Sequence, residues 1–365
     1  MKRKLLSLVL GICLVLPLAA CSKNTSGSSD ASNAEASEET SGTAEDTSDE
    51  ETVTDAPQST EAPQLSGKVV VYCPSPEDLA DKIAEAFQEK TGVEVEMFQG
   101  TTGEILARLE TEKDNPVADV VIMASWADGL NMIAADQVMS FEPENTSNVN
   151  WKDEENKIFG YSASAAGVIY NTTIFPTLSA DWDVLGTDAK YKDQIAIPDP
   201  TKSGSCKDFL SGFVNICGEK GEAIIDSWVA NGVTVPGANK AALEAVITGE
   251  KGILIAGVDY NAYSSIDAGE PLGIYYPQGG TVINPRPAMI LKSSKNVDNA
   301  KAYMDFLLSD EAQRLICDAY LLPGMKNITS DKGANIADIP AWDLDWSWMG
   351  EHSQEISENL INSVN

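Results

Sequence analysis

Histidine is almost missing from this 365-residue chain, and His352 is its sole representative. It stands between Glu351 and Ser353 in a polar run and reads as an exposed surface residue. One histidine in that setting leaves no Ser-His-Asp or Cys-His arrangement and no histidine-based zinc site. The phosphate-cradling Gly-x-x-x-x-Gly-Lys loop and the Gly-x-Ser-x-Gly elbow are missing as well. Basic residues are scarce, with 25 Lys and Arg against 56 Asp and Glu and a formal net charge of −31. A surface of that sign repels phosphate backbones, which excludes general nucleic-acid binding. Of lysine and arginine, arginine is the scarcer: beyond the first few residues there are only Arg108, Arg286 and Arg314. Carboxylates abound, but none stands as an isolated pair inside an apolar run. The expectation is a protein that is not an enzyme and needs no cofactor or metal. A tethered hydrolase is the weaker reading.

Long apolar runs are also lacking, except one at the start. Leu5–Leu18 follows Lys2, Arg3 and Lys4 and is too short to span a bilayer comfortably. Leu18-Ala19-Ala20-Cys21 resembles a bacterial lipobox, which implies cleavage before Cys21 and a lipid on its thiol. Residues 1–21 are therefore read as a lipoprotein signal peptide. Residues 22–66 carry eleven acids and one lysine among Ser, Thr and Ala. Such a segment buries too little apolar area to offset its ordering entropy and reads as a disordered linker. The remaining cysteines, Cys73, Cys206, Cys217 and Cys317, show no repeated spacing. Cys206 and Cys217 fall on one helix about 16 Å apart, too far for a disulfide. The four read as small buried hydrophobes, with one disulfide as the open alternative.

What is present is an alternation of strands and helices. "KVVVYC" (68–73) reads as a buried strand, followed by a helix capped by Ser75 with Pro76 at its first position. "VEVEMF" (93–98) is a strand, "GTTGEILARLETEK" opens a helix with a capping box, and "ADVVIMA" (118–124) delivers Ser125, Trp126 and Asp128. Further strands are expected at 166–172, 194–200, 251–260, 272–277 and 288–292, with helices at 205–217, 240–250, 297–308 and 310–319. The three tryptophans of the tail, Trp342, Trp346 and Trp348, read as packing residues ahead of a terminal helix. The fold class is α/β with doubly wound parallel sheets.

Hydroxyls and glycines gather at the strand-to-helix junctions: Ser75, then Gly100 to Gly103, then Ser125, then Ser203 to Ser205. In a doubly wound fold these lie at the carboxyl edge of the sheet, where ligands bind. The first N–H groups of a helix lack internal partners and its end is partly positive. An anion can thus be held by aimed dipoles even in a strongly acidic protein. "PDPTKSGSCKDFL" (198–210) is the clearest such seat, with Lys202 and Lys207 at hand.

The stretches "GTTGEILARLETEKDNPVADVVI", "GVIYNT", "PDPTKSGS", "TGEKGILIAGVDY", "YYPQGGT" and "KNVDNAKAYMDFLLSDEAQRL" resemble solute-binding proteins of ABC transporters. The resemblance is to the two-lobed, type II periplasmic group that includes ferric-iron, sugar-phosphate and phosphonate binders. It implies two lobes joined by two crossings: 67–163 with 286–365 as lobe one, and 164–285 as lobe two. It also implies capture of a small anionic solute, phosphorylated or phosphonate, on the extracellular face of the membrane. The partners are a permease and its ATPase, and the protein acts as a monomer. Thr101, Thr102, Gly103, Ser203, Gly204 and Ser205 would hold the anion, with Ser75 and Ser125 assisting. Asp259, Tyr260 and Gln278 would meet the other end, and Trp126 would stack on it. Ferric-iron members offer adjacent tyrosines where this chain has Tyr260 and Tyr263, so iron held by those phenols and Asp259 is the alternative ligand. Sugar-phosphate members place a histidine before the aspartate and a glutamate in the Tyr-Pro stretch; here Val258 and Gln278 stand there. A solute sensor feeding a membrane kinase is the alternative of another class.

Overall fold

A computed structural model describes residues 65–364; the stretch expected to be a signal peptide (1–21, with Cys21) and nearly all of the expected linker (22–66) lie outside the described residues. The first half follows the alternation that the sequence predicts. Strand β1 (Lys68–Cys73) leads into helix α1 (Glu77–Thr91), then β2 (Glu94–Gln99), α2 (Thr102–Thr111), β3 (Val120–Ile122) and α3 (Trp126–Ala134). β1 is parallel to both β2 and β3. The valines of β1 alternate between two apolar layers. Val69 and Val71 face α1, while Val70 and Tyr72 face α2 and α3. That two-sided burial is why the strand reads as a continuous apolar run.

β4 (Phe159–Asn171) is thirteen residues long and serves both lobes. It is followed by α4 (Trp182–Thr187), β5 (Ile195–Ala196), α5 (Gly204–Cys217), α6 (Glu219–Ala230), α7 (Asn239–Ile247), β6 (Ile253–Val258), α8 (Asp259–Asp267) and β7 (Leu272–Tyr275). Then β8 (Ile283–Ile290) returns to lobe one, ahead of α9 (Val297–Leu307), α10 (Asp310–Asp318), β9 (Leu322–Pro323) and α11 (Trp346–Val364). The first half of β4 pairs with β8 and its second half with β6 and β7. The strand order is β2-β1-β3-β8-β4-β6-β5. β4 and β8 are thus the two crossings between the lobes, and their antiparallel pairing makes the mixed sheet less uniformly parallel than expected.

Only the second half of β4 is legible from sequence. Residues 159–165, Phe-Gly-Tyr-Ser-Ala-Ser-Ala, lack the branched side chains that mark strands. β8 carries Pro285 and Pro287, which ordinarily argue against a strand interior. Here the Pro287 carbonyl accepts from Met123 N, so these residues turn their nitrogen side toward β3, which ends at Ile122. The donors they lack are thus missing from an edge with little left to pair.

Two apolar cores sit on either side of the crossings. Lobe two centres on Phe209, Phe213, Trp182 and Trp228, whose rings pack within about 4.8 to 6.3 Å of one another. Trp342 joins this cluster 5.8 Å from Phe209, in line with its reading as a packing residue. The terminal helix α11 lies mainly on α5 and also reaches α3, with Gly350 beside Asn131. It therefore touches both lobes, although the sequence groups it with lobe one. The apolar face of α11, with Ile356 and Leu360, finds its partner in lobe two. His352 is half-buried rather than exposed, stacked 4.2 Å from Trp348. Cys73, Cys206, Cys217 and Cys317 are all free thiols. Among the described residues no helix is long and apolar enough to cross a membrane.

Candidate functional site

The helix tips meet where the lobes touch. A Cβ added to Gly103 at the start of α2 would lie 2.8 Å from the Thr201 carbonyl oxygen of lobe two. A Cβ added to Gly204 at the start of α5 would lie 3.0 Å from Thr102 Oγ1 and 3.0 Å from the Ala124 carbonyl carbon of lobe one. Only glycine permits these approaches. Thr102, Gly103, Ser203, Gly204 and Ser205, from two distant stretches of chain, therefore come together.

Their side chains differ in what they have left to offer. Thr101 forms the capping box that its sequence announces, accepting from Glu104 N while Glu104 accepts from Thr101 N. Thr102 Oγ1 accepts from Ala124 N at 3.2 Å and ties α2 to the end of β3. Ser203 caps α5 by accepting from Cys206 N and donates to Asn239 Oδ1 at 2.7 Å. Asn239 Nδ2 in turn donates to Ser205 Oγ at 3.3 Å. Asn239, at the start of α7, is a member of this cluster that the sequence reading missed. The first N–H groups of α5 have no intrahelical carbonyl within reach; that of Cys206 is met by the Ser203 cap.

Six of the expected residues take other roles. Ser75 does not cap α1, whose first position follows Pro76; its hydroxyl lies 2.5 Å from Tyr161 Oη on β4. Ser125 and Trp126 are taken by a protein carboxylate. Asp208 of α5 accepts from Ser125 Oγ at 2.6 Å and from Trp126 N at 3.0 Å, filling the tip of α3 from the opposite lobe. The Trp126 indole packs in the lobe-one core rather than facing a ligand. Gln278 is exposed on the turn that follows β7. Its place is filled by Tyr276, which donates to Asp259 Oδ2 at 3.0 Å. Lys202 pairs with Asp199, and Lys207 with Asp128 across the lobes, so both cations are engaged by carboxylates.

Asp208 is completely buried, and burial, with Asp128 beside it, pushes its pKa up to about 7 against the pull of Ser125, Lys207 and Trp126. Asp259 is likewise raised to about 7 by burial, although it accepts from the Ala165 and Tyr260 N–H groups and from Tyr276. Tyr260 is raised by burial as well, with the Arg286 guanidinium opposing. Among the described residues no group of three or more histidine, cysteine or carboxylate side chains is placed to grip a metal. Of the oxygens considered for iron, Asp259 faces Tyr276, Tyr263 lies 3.4 Å from Tyr276, and the Tyr260 ring faces a guanidinium.

That guanidinium belongs to Arg286, on the crossing strand β8. It is only 1% exposed. Its Nη2 donates to the Pro74 carbonyl at 3.0 Å, its carbon lies 5.9 Å from the Tyr260 ring, and Tyr161 is a further hydrogen-bond neighbour. It makes no ion pair among the described residues, and its Nε has no partner. A guanidinium stays charged when buried, and leaving such a charge without a counter-ion costs several kcal/mol. Sequence could have pointed to it only by rarity, as one of three arginines in the folded part, flanked by two prolines in a crossing.

Arg286 does not stand alone. Opposite it in register is Ser162 on β4, and two residues along, Asn284 faces Ser164. All four are buried. The hydroxyls of Ser162 and Ser164, both amide atoms of Asn284 and Arg286 Nε lack hydrogen-bond partners in the protein. Buried polar groups are nearly always paired, so five such atoms on one short ribbon mark a place built to meet something else. The other face of the ribbon is sealed: Ala163, Ala165 and Ile283 pack against Leu322, Ala334 and Ile339. Tyr260, whose ring faces the guanidinium, also lines a cavity of about 190 Å³ together with Pro76, Leu79, Ser264 and Leu315; the four ribbon residues do not line it.

Comparison with known proteins places this geometry. The chain is 24% identical over 279 residues to a putative 2-aminoethylphosphonate-binding periplasmic protein of Salmonella typhimurium, covering 72% of this chain and 80% of that one. It is 27% identical over 267 residues to the major ferric iron-binding protein of Neisseria meningitidis, covering 68% and 78%. Its fold matches that of the periplasmic binding protein AfuA of Actinobacillus pleuropneumoniae, solved with fructose-6-phosphate bound. There the TM-score is 0.74 and the identity 21%, covering 82% of this chain and 98% of that one. The model of the family described as bacterial extracellular solute-binding protein matches residues 115–346, more than half of the chain. With its two α/β lobes, its two crossings and its buried interlobe polar groups, the chain belongs to the bacterial extracellular solute-binding proteins.

Proposed function

We propose that this protein is the capture component of an ABC importer, held at the outer face of the membrane by a lipid on Cys21, and that it takes a small phosphorylated or phosphonate anion between its lobes. The observation that carries the reading is Arg286, a buried cation with no carboxylate partner among the described residues, on the crossing strand β8. A solute anion supplies the missing counter-charge, and the N-terminal end of α5, with the Ser205 hydroxyl that the Ser203–Asn239 pair positions, supplies directed donors. The likeness to a phosphonate-binding relative and to a structure holding a sugar phosphate supports the same class. The acidic linker would let the folded part reach its permease, and a monomer suffices for that cycle. Ferric iron is the second reading, favoured by the Neisseria relative and by the oxygens of Asp259, Tyr260 and Tyr263. A guanidinium facing Tyr260 opposes a trivalent cation at that phenol. Native mass spectrometry of the full chain purified from its own cells tests the choice. An adduct carrying a phosphoryl or phosphonyl group is expected; an iron adduct with no accompanying anion would overturn it.

A further inference from the structure

We propose that Asn284, Ser164 and Ser162 contact the captured solute directly and read hydroxyl groups next to its anionic end. This deepens the anion-capture reading and rests on it. The three side chains share the face of the crossing ribbon that carries Arg286, in two directly opposed pairs. Asn284 and Ser164 are 0% exposed, yet neither amide atom of Asn284 nor either serine hydroxyl is met by the protein. The opposite face of the same ribbon is closed by apolar packing, so these atoms look toward the side on which Arg286 reaches Pro74 and Tyr260.

The chemistry of the stripe narrows what it can read. An amide and a hydroxyl each both donate and accept. Their best match is a group that does the same, which is a hydroxyl. An ammonium group offers donors only and would need acceptors, ideally charged ones. The stripe holds no carboxylate, and its end carries the Arg286 guanidinium. Asp259, which accepts from Ala165 N beside the stripe, also accepts from Tyr276 and Tyr260 N. A bare inorganic anion would satisfy Arg286 and leave the amide unmet. The solute class that fits every group is a hydroxylated organic phosphate or phosphonate, its anion toward Arg286 and the helix tips and its hydroxyls along Asn284 and Ser164.

A double comparison tests this. Glycerol 3-phosphate and propyl phosphate share one anionic group and one chain length and differ in hydroxyls. Both are titrated into the full-length wild-type chain, Asn284→Leu and Ser164→Ala, with inorganic phosphate as a third probe. Wild type is expected to prefer the glycerol ester by about tenfold or more, because a site built for hydroxyls leaves buried groups unpaired when they are missing. In Asn284→Leu that preference should fall to about threefold or less through weaker glycerol ester binding, the propyl ester changing little. Ser164→Ala should give a smaller change in the same direction, and both variants should melt at or above the wild-type temperature. Equal affinity of wild type for the two esters, or a preference that survives in both variants, overturns the assignment and leaves anion capture standing; the stripe then holds internal water only. Failure of all three probes to bind wild type removes the anion reading and this one with it.

Discussion

Asp208 and Asp259 are carboxyls whose pKa burial pushes to about 7, from an ordinary value of 3.8. A carboxyl raised on folding binds more protons in the native state than in the unfolded one. The stability it contributes is full below about pH 4 and is lost as pH rises through about 7. Acidification from pH 7 to 5 is therefore expected to raise the melting temperature, against the usual trend for an acidic protein whose carboxylates are salt-bridged. Asp208→Asn should flatten that slope, since it removes one of the two groups that take up a proton. A melting temperature that falls steadily from pH 7 to 5 in wild type, or a slope unchanged in the variant, would contradict the assignment. At this scale the sequence was least informative. Asp208 reads as one more acid on an amphipathic helix, and Arg286 as one basic residue between prolines. Burial, which gives both their meaning, is set by the opposite lobe and leaves no local mark.

Helix tips carry the next level of argument. The capping box of α2 and the Ser-Gly-Ser start of α5 are legible because N-terminal caps have fixed spacing and residue preference. That they would touch is not, since the contact depends on how two crossings set the lobes. The close approach of Gly204 to Thr102 and Ala124 makes a sharp test of this contact. Gly204→Ala places a methyl 3.0 Å from both, one partner being backbone that cannot yield cheaply. Each lobe should still fold, because the methyl meets only the other lobe. Small-angle scattering of the variant with saturating phosphate ester is expected to give a larger radius of gyration than wild type, and affinity should fall by tenfold or more, about 1.4 kcal/mol. Equal radii and equal affinity would show that the tips do not need to meet. The third tip, that of α3, was expected to serve the ligand from its Ser125. It is filled by Asp208 instead.

At the scale of the molecule, two lobes share one long strand and one return strand, and the unmet polar atoms lie where those strands cross. The alternation of strands and helices predicted the layered lobes well, because period and apolar runs are local properties. That two crossings join the lobes is implied by the family resemblance, but their strand character is not legible: the small residues of 159–165 and the prolines of β8 carry no strand signature, and what those residues leave unpaired shows only in three dimensions. The account stands or falls on a negative solute entering that space to meet Arg286. The most direct measurement is calorimetric titration of glycerol 3-phosphate into the full-length chain and into Arg286→Met. Saturable one-to-one binding is expected in wild type, weaker by about 10- to 100-fold in the variant, the range for losing one charge-assisted hydrogen-bonding partner, with no loss of melting temperature because the unpaired charge is gone. Equal binding by both proteins, or heat from ferric iron alone with none from any anion, would contradict it.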